Sequence, residues 1–322
     1  MNMSEEFTIY DHVSQANALF GMHLVEAASE HPELRIVTAD MAVAGSIERF
    51  KFTYPEQFVD VGIAEQNLIG VAAGMASAGY RTIAVAQGCF ISMRAVEMNR
   101  QYLGYMKYPV VLVGLNSGFF LQYFGNTHYA LEDLAIMRTI PNMQVFSPCD
   151  AYEAIRCMEH ALKSDMPSYI RLTGGATLPL VHREDYDFET GKADVLRQGK
   201  DVCIYATGAM TYRCREVAKL LAEQGYDAEV VNIHTIKPLD NAHVYKQQSK
   251  RLIVTVEEHS VIGGLGGAVA DAMSDIGQMP PLLKLGVKDC FSKPGSYEYL
   301  LVQHRLTPEL IAEDILKKLK EL

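Results

Sequence analysis

The sequence predicts an α/β protein of two domains, each a parallel sheet with helices on both faces in an αβα arrangement. Three observations carry that prediction. Short runs of Val, Ile, Leu and Ala alternate with longer segments of helical periodicity along nearly the whole chain, as in sheets whose strands are joined by crossover helices. At 322 residues the chain has room for about two domains. Between Gly174 and Gly199 the composition turns to Gly, Asp, Glu and Lys around Pro179, and a second strand–helix series follows. The expected division is a first domain over 1–178, a linker over 179–199 and a second domain over 200–322.

Residues 9–31 place Ala16, Leu19, Phe20, Leu24 and Ala27 at helical spacing, and Pro32 ends the helix. LRIVTAD (34–40) is a short buried strand closing on Asp40, and 42–55 reads as loop with one helical turn. The stretch 58–78 organises the rest: a strand through Phe58, Val59 and Val61, a turn at Gly62, then a helix rich in small residues. Gly70, Ala72, Ala73, Gly74, Ala76 and Ala78 leave so little bulk that another backbone could pack close. RTIAVAQG (81–88) is a strand, 90–105 a helix and YPVVLVGLN (108–116) a third strand. The aromatic run SGFFLQYFGNTH (117–128) is too irregular for a strand and reads as a loop at a strand's carboxyl end. Then come a helix over 131–138, the strand MQVFSP, a helix over 150–164 and the strand PSYIRLT. The second domain repeats the logic: strands in DVCIYATGAM, DAEVVNIHTI, RLIVTVEEH and PLLKLGV, with helices over 212–224, 267–277 and from Thr307.

Ligands of parallel sheets bind beyond the strands' carboxyl ends, which gathers Asp40, Glu65, Gln87 to Phe90 and Asn116 to His128 at one crevice. Glu65 opens the small-residue helix, followed by Gln66 and Asn67. A helix N-terminus favours an anion, whereas burial favours a protonated carboxyl. Glu65 is thus a candidate for a carboxyl that gives and takes a proton; the plainer reading is a helix-start glutamate pointing to water. His128 shares the crevice with Asn126 and Thr127, whereas His12, His23 and the run Glu257–Glu258–His259 read first as ordinary surface or core groups.

A formal charge of −10, with KKLK near the C-terminus as the one basic run, argues against nucleic acid or an anionic membrane as partner. No apolar run has the length of a membrane span. The acidic start MNMSEEFTIYDH lacks a signal-peptide pattern, and six scattered cysteines form no CxxC pair, so a cytoplasmic location with reduced thiols is expected. VIGGLGGAVADAM (261–273) looks like a phosphate cradle but matches neither the dinucleotide nor the P-loop spacing. A tight strand-to-helix turn packed against a neighbouring subunit fits it better. HExxH and GxSxG are missing, and no metal site made of protein ligands is expected.

The order of motifs resembles the transketolase family: VTAD (37–40), FVDVGIAEQN, a helix start at Phe90, then GNTH…LEDLAIMRTIPNMQVFSPCD, and in the second domain TGAM, IKPLD and VEEHSVIGGLGGAVADAM. Deoxyxylulose-phosphate synthases carry similar runs. The resemblance spans nearly the whole chain and implies thiamine diphosphate as cofactor, held between a diphosphate-binding domain and a pyrimidine-binding domain. That family binds the diphosphate and Mg²⁺ through a GDG…N motif, and this chain contains no GDG. It therefore resembles the pyrimidine-binding and C-terminal domains of a split enzyme, which implies a separate diphosphate-binding N-terminal-half subunit, a heterotetramer and sugar substrates.

By the same match Glu65 is the carboxyl that shares a proton with the pyrimidine ring, and Phe90 the aromatic that packs on it. Asp40 and Gln87 belong to the cofactor-facing crevice, and His128 lies near the substrate channel. The substrate positions depart from the family's pattern. Phe124 stands where an aspartate commonly contacts the donor sugar, and Asn116 where many members have a histidine. Asn17 and Gly174 stand where phosphate-binding arginines would be, with Arg171 three residues from the second. Asn17, Asn116, Tyr123, Phe124 and Arg171 are the expected pocket residues. The expected activity is transfer of a two-carbon ketol unit from a ketose to an aldehyde. The rivals are a beta subunit of a 2-oxo-acid dehydrogenase and a non-catalytic assembly subunit.

Overall fold

The computed structural model describes residues 16–173, 179–182 and 186–322. Six strands, β1 (Leu34–Thr38), β2 (Phe58–Asp60), β3 (Arg81–Gln87), β4 (Val110–Ser117), β5 (Gln144–Phe146) and β6 (Ser168–Thr173), precede the second domain's β7 (Asp194–Arg197), β8 (Val202–Ala206), β9 (Ala228–Asn232), β10 (Thr235–Lys237), β11 (Leu252–Ser260) and β12 (Leu282–Val287). They form a seven-stranded sheet in the order β10-β5-β6-β4-β3-β1-β2 and a five-stranded sheet in the order β12-β11-β8-β9-β7. Every pairing is parallel except β10 with β5 and β7 with β9. Helices flank both sheets, so the predicted pair of αβα domains stands.

The strands alternate as a sheet covered on both faces must. Ile36, Ile83, Val85, Val111, Val113 and Ile170 meet the helices Ala16–Glu30 and Ala151–Lys163 through Phe20, Leu24, Cys157 and Met158. Val37, Ala84, Ala86 and Leu112 turn the other way, toward Leu68, Ile69 and Ala72 of the helix Glu65–Ser77. Leu68 and Ile69 are fully buried, each contributing roughly 1.5–3 kcal/mol of apolar transfer. That anchorage fixes the helix bearing Glu65 at the sheet's carboxyl edge.

The second domain shares its core with the first. Phe119, Tyr129 and Leu131 of the first domain pack among Ile204, Val254 and Val256 of the second. Arg171 is 1% exposed at this boundary. Its Nε donates to Asp133 Oδ2 at 2.8 Å, and its Nη2 to the backbone oxygens of Ala130 and Glu258 at 2.8 and 2.9 Å. Burial works against its charge, but the Asp133 carboxylate holds the guanidinium protonated.

Several local expectations are corrected. The segment 179–199 is not all linker, since β7 pairs antiparallel with β9. DAEVVNIHTI is two strands: β9 stays in the second sheet, and β10 crosses to pair antiparallel with β5 of the first. The helix over 90–105 is interrupted, with π-turns over Phe90–Arg94 and Asn99–Tyr105 around the short α-turn Val96–Met98. Buried Asn99 explains the disturbance, because its Nδ2 donates to Ile91 O at 2.8 Å across the turn. Short helices at Asn241–Tyr245 and Tyr297–Gln303 were not anticipated. His12 and residues 9–15 of the first helix lie outside the described residues, as does Gly174.

The glycine-rich run is explained by its own chain. Glu257 Oε2 and Oε1 accept the Leu265 and Gly266 amides at 2.7 and 2.8 Å, so a carboxylate already fills the helix N-terminus where a phosphate would bind. Gly263 packs on Ala135 of the first domain, in the same chain. His259 is wholly buried and accepts the Ala135 amide at Nε2, 3.3 Å away.

Candidate active site

The carboxyl ends of β1 to β4 meet at one edge. The backbone there is left-handed after β1 and β2, at Asp40 (φ 56°) and Gly62 (φ 70°), and at the irregularity near the end of β4, Asn116 (φ 54°), residue types that tolerate it. Asp60 Oδ1 accepts the amides of both Asp40 and Gly62 at 2.9 Å, tying the ends of β1 and β2 together. Asp60 was not singled out from sequence. Asp40 itself is exposed, at the rim of the crevice.

Glu65 is 3% exposed, in the first turn of its helix. Its Oε2 accepts from Arg94 Nη1 at 2.5 Å, and the same guanidinium lies 4.2 Å above the Phe90 ring. Phe90 meets His128 edge-on at 5.3 Å, and His128 meets Phe124 at 5.2 Å. Glu65, Arg94, Phe90, His128 and Phe124 thus form one continuous row. Arg94 was missed in the sequence; the signal available was its position four residues beyond Phe90, on the same helical face. Thr127 Oγ1 contacts His128 Nδ1 at 2.9 Å.

Gln87 and Asn116 are buried side by side, Asn116 Nδ2 donating to Gln87 Oε1 at 3.2 Å. Gln87 Nε2 is buried with no partner among the described residues, a polar atom that a ligand would satisfy. Next to it Gly88 is pressed against β4, since a Cβ there would lie 2.3 Å from Ser117 Oγ. Tyr123 and Phe124 stand out at 72% and 66% exposure, so the row ends at an open mouth.

Arg171, expected in the pocket, is withdrawn from it. Its donors are committed inside the domain boundary, and breaking them would strand the buried Asp133 carboxylate. The side chain of Asn17 lies outside the described residues. A cavity of about 490 Å³ between the domains, lined by residues including Asn126, Leu131, Ile136, Ile262 and Phe291, contains none of the predicted site residues. Cys149, Glu153 and His182 gather within 4.8 Å of one another. The Glu153 oxygens there already accept from Cys149 N, Tyr186 Oη and Asn232 Nδ2.

The helix Glu65–Ser77 turns an uncovered face outward beside this row. A Cβ at Gly70 or Gly74 would meet no atom within 4 Å, and Ile63, Met93 and Val96 are exposed nearby in sequence.

Residues 14–177 match the pyrimidine binding domain of transketolase, and residues 191–311 match the transketolase C-terminal domain. The chain belongs to the transketolase family. It is 36% identical over 303 residues to a putative transketolase C-terminal section of Methanocaldococcus jannaschii, covering 94% of this chain and 95% of that one. It is 38% identical over 289 residues to the 6-deoxy-6-sulfo-D-fructose transketolase subunit SqwH of Clostridium sp., covering 89% of each. Among solved structures, one described as "Split gene transketolase, inactive beta4 tetramer" superposes with a TM-score of 0.87 at 37% identity, covering 95% of this chain and 99% of that one. This transketolase chain is therefore a C-terminal-half subunit, a transferase component that acts with a partner.

Family membership implies thiamine diphosphate, and the residues present fit its aminopyrimidine end. They offer a buried carboxyl, an aromatic face at Phe90, an unpartnered buried amide at Gln87 and the tight glycine that lets it approach β4. Arg94 now lies across both Glu65 and Phe90.

Proposed function

We propose that this transketolase subunit supplies the pyrimidine side of a shared site, while a separate diphosphate-binding subunit holds the cofactor's other end and its Mg²⁺. The observation that carries this reading is the row from Glu65 to Phe124 lying open beside an uncovered glycine face. A site bordered by such a face is completed by another chain. Two copies of each subunit, in the cytoplasm, is the assembly we infer; six free cysteines, five of them buried, support a reducing compartment.

Thiamine diphosphate, when bound, supplies the nucleophilic carbon and the electron sink for carbon–carbon cleavage. The chain's own residues bind, orient and move a proton. With the cofactor bound, Glu65 would present its buried carboxyl to the pyrimidine and share a proton with it. Phe90 offers the ring face, Gln87 the unpaired amide, and Asp40 the rim. With Thr127 engaged at its Nδ1, His128 would offer Nε2 to a hydroxyl of the ketose.

Asn116, Tyr123 and Phe124 make the substrate mouth neutral and aromatic, and Arg171 is unavailable to a phosphate. That supports a ketose whose anionic group is anchored elsewhere or is not a phosphate. Proteins similar to this chain are named for 6-deoxy-6-sulfo-D-fructose and apulose-4-phosphate.

The test is binding of thiamine diphosphate with Mg²⁺ to this chain alone and to its complex with a diphosphate-domain subunit, followed by a panel of phosphorylated, sulfonated and uncharged ketoses. Tight binding in the complex alone, and ketol transfer lowered at least about 100-fold by Glu65→Gln, is the expected result. Full activity in Glu65→Gln, or pyruvate turnover without ketol transfer, would sink the reading.

A further inference from the structure

The loop that carries Tyr123, Phe124 and His128 is closed at its base by a reciprocal backbone pair, Gly118 N to Ala130 O at 3.0 Å and Ala130 N to Gly118 O at 3.3 Å. Between base and tip its regular structure is one 3-10 turn, Gln122–Phe124. Within the loop the amides of Gln122, Phe124, Gly125, His128 and Tyr129 close local turns, so it holds its own shape, and where it sits is set by its anchors, several of which come from the second domain. Glu258, at 2% exposure on β11, accepts the Phe119 amide through Oε1 at 2.6 Å and the Tyr297 hydroxyl through Oε2 at 2.5 Å. Gly118 rests on that carboxylate so closely that a Cβ would fall 2.2 Å from Oε1. The Phe119 ring stacks on His304 at 5.1 Å, and Asn126 exchanges two hydrogen bonds with the Ser292 backbone at 2.8 and 2.9 Å.

We propose that Glu258 is a positioning residue for the substrate: a second-domain carboxylate that sets where Tyr123, Phe124 and His128 stand relative to the Glu65 crevice. This rests on the ketol-transfer reading above. The carboxylate suits the task, because a charge-assisted bond to a backbone amide is short and directional. Its removal also leaves the buried Phe119 N–H without this partner and takes one of its partners from the Tyr297 hydroxyl. Glu258 touches the loop at Phe119 and Gly118, at its base and away from Glu65 and Phe90 in the contacts it makes, so its effect is expected on the substrate residues the loop carries.

The experiment uses the complete complex. Glu258→Ala is expected to raise KM for the ketose donor about tenfold, with a smaller fall in kcat and unchanged cofactor affinity. Amide exchange over 118–130 should quicken in the same variant. Glu258→Gln, which can still accept from Phe119 and donate to Tyr297, should restore KM to within about threefold of the unaltered enzyme. Lys237→Ala is the control: it removes a different contact between the domains, Lys237 Nζ to the backbone oxygens of Arg138 and Ile140, and should lower Tm without moving KM. If Glu258→Ala fails to fold, Tyr297→Phe removes one of the two partners and should raise KM about threefold. Unchanged KM in the folded variants, or a KM rise in Lys237→Ala equal to that in Glu258→Ala, overturns the proposal. If the unaltered complex transfers no ketol unit, the functional reading has failed. Amide exchange over 118–130 then decides the positioning role by itself: unchanged exchange in Glu258→Ala refutes it.

Discussion

Glu65 and Arg94 form an ion pair with one end in water: Nη1 lies 2.5 Å from Oε2, with the arginine side chain 44% exposed and the glutamate 3%. The guanidinium can therefore leave from the solvent side while the carboxylate stays put. It also covers the Phe90 face, so the pyrimidine and Arg94 compete for one place. Arg94→Ala should tighten thiamine diphosphate binding by about two- to fivefold, the worth of a pair with an exposed end. Titration calorimetry on the complex measures this, and a tenfold weakening would mean that Arg94 is itself a ligand.

Arg171→Met should cost about 3–5 kcal/mol of stability, because it leaves the Asp133 carboxylate buried without its cation. Denaturant unfolding measures it. A variant of normal stability with a raised KM for phosphorylated donors would return Arg171 to the pocket.

Burial pushes the Glu257 carboxyl up to about 7 and the His259 imidazole down to about 4. Folded Glu257 holds its proton more tightly than in the unfolded chain, so its contribution to stability falls as pH rises from 4.5 to about 7. Folded His259 holds its proton less tightly, so its contribution rises between about 4 and 6.5. The opposed slopes partly cancel. Arg171 and Lys284 act on Glu257, and Asp133 and Arg171 on His259. Glu257→Gln removes the falling limb, so its Tm should climb more steeply than that of the unaltered chain across pH 4.5 to 6.5. Parallel curves from scanning calorimetry would contradict the assignment.

Gly74→Leu meets open space in this chain. It should leave the isolated subunit as stable or more so, by about 0.5–1 kcal/mol, since glycine is a poor helix residue. The same side chain should block assembly with the diphosphate-binding subunit, read by sedimentation of the mixed chains. Normal assembly would place the contact on another face.

The alternation of short apolar runs with helical segments made the strands and their two-sided covering legible in the sequence, and Ile83 and Val85 on one face against Ala84 and Ala86 on the other bear it out. The crevice followed from strand direction, which brings Glu65, Gln87, Phe90 and His128 to one edge. Arg171 was misplaced because its partners lie 38, 41 and 87 residues away, and nothing local marks such a commitment. The π-turns after Phe90 escaped because they depend on a single buried Asn99, whose bond to Ile91 O spans eight residues. Glu257 and Glu258 looked like a charged run; only the fold shows one capping a helix and the other holding a distant loop.

The crossing of β10 into the first sheet bears on where such a gene can be cut. A chain ending at residue 178 would lose the strand that caps β5 and would expose a bare sheet edge, an invitation to edge-to-edge aggregation. The two domains are thus joined by a shared sheet as well as by the chain, and a cut between them takes a strand from the first.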